Sequence, residues 1–224
     1  TDFADALNGR ALKNNSSFAS LIDEADPPHY ARYIRHIRAM LLDDFAFRDR
    51  KILVLGAGGF TLSHREPLNH YTYVDIDPAV RGIAEKHFLR EAARGEFIAD
   101  DARHYVLRSE THYAAAVVDV YSSHTSIPGH LVTREFWQAT RAILDDDGVL
   151  IANLILDSAL ASPYTRNLLT TIEDVFGRCA VEVLQNRQYL SNVIVTCRKQ
   201  PPPERAHLFI DERNSADIDF FRSR

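Results

Sequence analysis

Cysteine is scarce in this chain. Its 224 residues include two, Cys179 and Cys197, and they do not form a C-x-x-C pair. A redox motif of that spacing is absent, and a reducing compartment is expected, with both thiols packed as small hydrophobes. Basic residues are in deficit as well: 26 Lys and Arg against 31 Asp and Glu give a formal charge of −5. Phosphate neutralisation needs a basic face, so no nucleic acid is expected as a partner, and the acid excess suits a cationic small molecule better. No apolar run approaches the roughly 20 residues that cross a bilayer. The longest, VLIANLIL (149–156), has the length of a core strand. No basic–apolar–small leader opens the sequence, so no membrane partner and a cytoplasmic location are expected. The ten histidines are scattered without H-E-x-x-H or Cys/His ligand spacing, and no metal is expected.

What is present is enough apolar residue, 46%, for a full core, in a length that fits one α/β domain with a small appendage. The first 27 residues are polar and broken by Asn-Gly and Asn-Asn, with a strand expected around Ala6–Lys13. From Pro28 a helix follows, its stripe carried by Tyr30, Tyr33, Ile34, Ile37 and Leu41. Strands and helices then alternate: KILVLG (51–56), HYTYVDID (70–77), a helix from Pro78 to about Arg90, GEFIAD (95–100), a helix from Ala102, YAAAVVD (113–119), a helix over Thr133–Leu144 with Trp137 in its core face, a solvated DDDG turn, and VLIANLIL. Continuous apolar strands separated by helices mean a parallel sheet covered on both faces. After a helix over Pro163–Phe176 the alternation breaks. CAVEVLQ (179–185) and SNVIVTC (191–197) are too close for a helical crossover and must pair antiparallel. The fold class is α/β: a doubly wound, mostly parallel seven-stranded sheet with a C-terminal antiparallel hairpin. That closure is typical of S-adenosylmethionine-dependent, Rossmann-like domains and unusual for NAD domains. The expected units are 1–27, a domain at 28–199, and a polar tail at 200–224.

The strand ends carry the chemistry. ILVLGAGGFTL turns from strand to helix on Gly56, Ala57 and Gly58, where a tight bend and close ligand approach favour glycine. The pattern is G-x-G-x-x-T, without the third glycine of the dinucleotide fingerprint. Asp75 ends the second strand about twenty residues later, placed to accept both ribose hydroxyls, with Ile76 beside it and Asp77 as a helix cap. The third strand ends in IADDAR; Asp101, followed by Ala102, fits the acid that receives an adenine amino group, with Asp100 capping the helix. The fourth ends in Asp119. Ligands of open α/β sheets bind at these carboxyl ends, and three acids in sequence there mark a nucleoside site.

These residues resemble the spermidine synthase (polyamine aminopropyltransferase) family within the class I S-adenosylmethionine-dependent fold. VLGAGGFTL is similar to its glycine loop, YVDIDPAV to its ribose strand, DARHYV to its adenine turn, and DVYSSHTSIPGHLVTREFW to its catalytic loop and following helix. LNGRALKNNSSF with HYARYI resembles a worn N-terminal β-strand lid. The likeness is nearest to the branch whose loop reads G-x-G-x-[FY]-T-L. It implies polyamine biosynthesis: decarboxylated S-adenosylmethionine as co-substrate, a small-molecule amine as acceptor, and a homodimer. It also implies that Asp119 accepts the amine's proton and that Tyr33 lines the acceptor pocket. Tyr121, beside Asp119, either lines that pocket or packs beneath the loop.

Three acids of the family pattern are missing. The glycine loop GAGGF has none, Ser122 stands where a second loop aspartate is usual, and Ile34 and Arg35 follow Tyr33 in place of a glutamate. Arg35 and His124 would repel a polyamine if they faced inward. An S-adenosylmethionine-dependent methyltransferase, or a binding protein without chemistry, is therefore the alternative reading.

Overall fold

The computed structural model describes residues 9–14, 17–23, 25–121, 127–184 and 189–198. Two strands, β1 (Gly9–Asn14) and β2 (Ser17–Asp23), form an antiparallel hairpin where one strand was expected. The second was hidden because SFASLID lacks a clean alternation. Helix α1 (Arg32–Ala39) follows and continues as a π-helical turn, Met40–Asp44, burying Ile34, Ile37, Met40 and Leu41.

The main sheet has seven strands in the order β5-β4-β3-β6-β7-β9-β8. These are β3 (Lys51–Leu55), β4 (His70–Asp75), β5 (Glu96–Ala99), β6 (Tyr113–Val118), β7 (Leu144–Asp157), β8 (Cys179–Val183) and β9 (Leu190–Arg198). The first five pair in parallel; β9 runs antiparallel to both β7 and β8. Five of the seven strands were expected with both faces apolar, and β3 shows why. Ile52 and Val54 enter one buried cluster with α1, while Leu53 and Leu55 enter the other. That second cluster takes α3 (Ala102–Arg108), α4 (Arg134–Ala142) and α5 (Pro163–Phe176). Trp137 is fully buried there, edge-on to Phe136 at 4.9 Å between ring centres.

Local signals set the helix ends. Ser162 caps α5 by accepting from the Thr165 amide, Pro163 opens its first turn, and Gly177 follows its end. The helix expected from Pro78 is instead α2 (Val80–Ile83) running into a wider π-helical stretch, Ala84–Leu89, which stops at Arg90 with φ 61°.

Two expectations are corrected. The DDDG run is not a free turn but part of β7. Tyr113 pairs with Leu144 and Ala115 with Val149, so the intervening residues bulge, and Arg50 holds Asp145 and Asp147 at 3.2 and 3.1 Å. The two cysteines are not separate thiols. Antiparallel pairing of β8 with β9 sets Cys179 opposite Cys197, Cα atoms 4.5 Å apart, and they form a disulfide. A spacing of 18 residues does not reveal a cross-strand pair. No helix among the described residues is long and apolar enough to cross a membrane.

Candidate active site

The chain passes from β3 to β4 and β5 on one side, then crosses to β6 on the other. The crevice of an open α/β sheet lies at such a reversal, beyond the carboxyl ends of the strands. Gly56 ends β3 there with φ 89°, and a β-carbon on it would lie 2.2 Å from the Asp119 carbonyl oxygen. The turn is glycine because β6's end is packed against it.

The loop that follows is tied from both sides. Asp75 accepts from the Ala57 amide at 2.9 Å with one oxygen and from the Asp77 amide at 3.0 Å with the other. The Gly59 amide donates to Ser20 Oγ of β2 at 2.8 Å, so the N-terminal hairpin sits on the glycine loop. Asp77 accepts from the Ala79 amide at 2.9 Å in the turn ahead of α2, but the helix opens at Val80 with Ala79 in the cap position and no side-chain cap, so the capping role expected of Asp77 is corrected. Ile76, between the two acids, is 75% exposed.

At the end of β5 the capping expected of Asp100 falls to its neighbour. Asp101, not Asp100, caps α3: its carboxylate accepts from the His104 amide at 2.9 Å and pairs with His130 Nε2 at 3.0 Å. Burial works against its ionisation, but those partners outweigh it and hold the carboxyl below its usual range. Asp100 accepts the Asp101 amide and pairs with the His104 ring at 2.8 Å. The helix opens at Ala102, so the residue directly before it takes the capping geometry. Ala102 itself is buried.

Asp119 differs from these acids in kind. Its recorded partners are side chains: Asn153 Nδ2 donates to Oδ1 at 2.8 Å, and the Tyr33 hydroxyl donates to the carboxylate. Burial pushes this carboxyl up to about 6, against the pull of both hydrogen bonds. Burial also drives Tyr33 and Tyr121 well above the ordinary phenol range, and the neighbouring Asp119 charge adds to it. Both phenols are therefore neutral donors at physiological pH. The Tyr121 hydroxyl donates to the Asn153 carbonyl at 2.6 Å, which fixes the ring against β7. By contrast Asp157, another strand-end acid, is spent on the Ala161 and Ser162 amides and the Thr165 hydroxyl.

Tyr33, Asp119 and Tyr121 are thus brought together, with Asn153 as a fourth member that the sequence reading missed. A lone amide inside VLIANLIL was the available signal. Ser20 had none. Arg35 is exposed and lines a shallow groove with Pro28 and Leu42, away from this cluster. Ser122 and His124 lie outside the described residues. A separate groove of about 660 Å³ opens at the amino ends of β4 and β5, the opposite end of the sheet from the acids. No group of three or more His, Cys, Asp or Glu among the described residues is arranged to hold a metal.

The cluster supplies one carboxylate pushed up to about 6 by burial, two neutral hydroxyls and an amide, next to a glycine turn packed against it. That set can take a proton from a nucleophile brought to it.

The chain is 34% identical over 163 residues to a polyamine aminopropyltransferase of Vibrio vulnificus, covering 69% of this chain and 52% of that one. It is also 34% identical over 137 residues to an N-terminal histidine N-methyltransferase of Emericella nidulans, covering 57% of this chain and 23% of the other. In fold it is similar to a probable spermidine synthase from Corynebacterium glutamicum. The TM-score is 0.71 at 22% identity, over 86% of this chain and 73% of that one. The chain spans about half the length of the Vibrio relative. The pattern of the spermine/spermidine synthase domain matches residues 28–206, and on that match the chain belongs to the spermine/spermidine synthase family.

Proposed function

We propose that this protein is an aminopropyltransferase that moves an aminopropyl group from decarboxylated S-adenosylmethionine to a di- or polyamine. The observation that carries the reading is the setting of Asp119. It is a carboxylate held by side chains, raised to about 6, at the switch point of the sheet. At pH 7 such a group is about nine-tenths ionised yet close enough to neutrality to accept a proton.

In this reaction the amine nitrogen attacks the methylene next to the sulfonium. The new C–N bond forms as the C–S bond breaks, its electron pair goes to sulfur, and a neutral thioether leaves. The nitrogen's extra proton passes to Asp119. Tyr33 and Asn153 orient the carboxylate, and Tyr121 lines the same space. Gly56, Ala57 and Gly58 form the floor beneath the donor. Asp75 takes the ribose hydroxyls on lone pairs left over from its two amide bonds. Ile76 and Ala102 flank the adenine, whose amino group faces Asp100 and Asp101.

The amides of the glycine loop are largely paired within the fold. The Gly56, Ala57, Gly59 and Phe60 amides are given to Val74, Asp75, Ser20 and Ala57. The hairpin, residues 28–199 as the catalytic unit and a homodimer belong to the same proposal. A species of monomer mass in light scattering would remove the dimer from it.

The test is calorimetric titration with decarboxylated S-adenosylmethionine and with S-adenosylmethionine, followed by turnover with putrescine. Tighter binding of the decarboxylated donor and amine-dependent turnover are expected. Equal or tighter binding of S-adenosylmethionine, without aminopropyl transfer, would move the protein to methyl transfer.

A further inference from the structure

We infer that Asn153 is the positioning residue of this site: its amide aims the Asp119 carboxylate, and its backbone carbonyl anchors Tyr121. The inference rests on the proposed role of Asp119 as proton acceptor, and goes beyond it by naming what sets that role.

Asn153 is a polar residue in the middle of a strand that is otherwise apolar from Val149 to Leu156. The parallel register pairs Val118 with Ala152, so the next residues, Asp119 and Asn153, come side by side beyond it. On its other flank β9 contributes Ile194. The side chain is 3% exposed. Its Nδ2 donates to Asp119 Oδ1 at 2.8 Å, and its main-chain carbonyl accepts the Tyr121 hydroxyl at 2.6 Å. The amide Oδ1 is buried and has no hydrogen-bond partner among the described residues.

That last atom shows the residue is not there for packing. A buried amide oxygen without a donor destabilises the fold, whereas leucine here would fill similar volume and leave nothing unpaired. The gain is at Asp119. One carboxylate oxygen is committed to Asn153 and the carboxylate plane is fixed. The bond also favours the ionised form, opposing the burial that raises the group. The titratable groups facing Asp119 among the described residues are phenols: Tyr33 from α1 and Tyr121 from its own segment, with Tyr164 of α5 behind Tyr121. None of them is a cation, and the one that shares the work is Tyr33, through its own hydrogen bond to the carboxylate.

The test follows the Asp119 carboxyl directly, by carbon NMR of labelled protein across pH, alongside single-turnover aminopropyl transfer. Asn153→Leu should move the Asp119 midpoint upward. It should slow transfer roughly ten- to a hundredfold, as expected for losing a hydrogen bond to a charged group, with donor affinity within about twofold. Asn153→Ser, which keeps a donor, should restore part of the midpoint. Asn153→Asp, of the same shape, should raise it further by like-charge repulsion, and it serves if the leucine variant does not fold. A midpoint unmoved in Asn153→Leu or Asn153→Asp overturns the inference. A midpoint that moves in a protein showing no aminopropyl transfer leaves Asn153 as the positioning residue and overturns the proposed reaction instead.

Discussion

Gly56 and Asp119 are packed directly on one another: the Asp119 carbonyl oxygen occupies the space a Gly56 β-carbon would need, 2.2 Å away. The glycine loop and the end of β6 are therefore one unit, and neither can be reshaped without the other. With φ at 89°, Gly56 is also in backbone space that other residues enter only under strain. Gly56→Ala is expected to destabilise the protein by more than about 1 kcal/mol and to abolish donor binding. Chemical denaturation and calorimetry would read the two effects, and wild-type values in both would contradict this packing account.

Ile76 offers a cleaner probe of the nucleoside site because it is 75% exposed and supports little of the core. An apolar side chain left in water between two site acids is suited to lie against a purine. Ile76→Asp should weaken donor binding by about 1–3 kcal/mol, with the melting temperature close to wild type. Unchanged affinity would place the adenine elsewhere.

Ionising Asp119 costs stability. Its folded-state value, about 6, lies above the 3.8 of a free aspartate side chain, so the folded protein binds the proton more tightly than the unfolded chain. Stability from this group is present below the lower value, falls as pH rises through that window, and stays reduced above it. Asp119→Asn, which keeps an acceptor for Asn153, should therefore melt higher than wild type at pH 8 and no higher at pH 4. Thermal unfolding at the two pH values checks the sign.

Much of this was legible in the sequence, for reasons that can be named. Alternating apolar strands and capped helices reveal themselves locally, so β3 to β7, α5 and the antiparallel closure were readable. The strand-end acids were readable because topology sends those ends to one crevice. What escaped depends on pairing across the chain. Cys179 meets Cys197 only through the β8–β9 register. Asn153 matters only because β7 runs beside β6, and Ser20 only because the hairpin lies on the glycine loop. The cap of α3 was assigned to Asp100 rather than Asp101 because adjacent acids differ by a single residue in where the helix starts.

The cross-strand cysteines make a prediction of their own. Thiol titration of the unreduced, denatured protein should find no free cysteine. Cys179→Ser should cost about 3 kcal/mol, the loop-closure expectation for a loop of this length. Two titrating thiols in freshly isolated protein would return the pair to the reduced state expected from composition.

The claim on which the account turns is that Asp119 takes the proton. Single-turnover aminopropyl transfer should be measured against pH in the wild type and in Asp119→Asn. The account predicts a wild-type rate that climbs through about pH 6. In the variant that limb should vanish and the rate should fall roughly 10²- to 10⁴-fold, with donor affinity retained. A variant that keeps the wild-type rate and limb would contradict it.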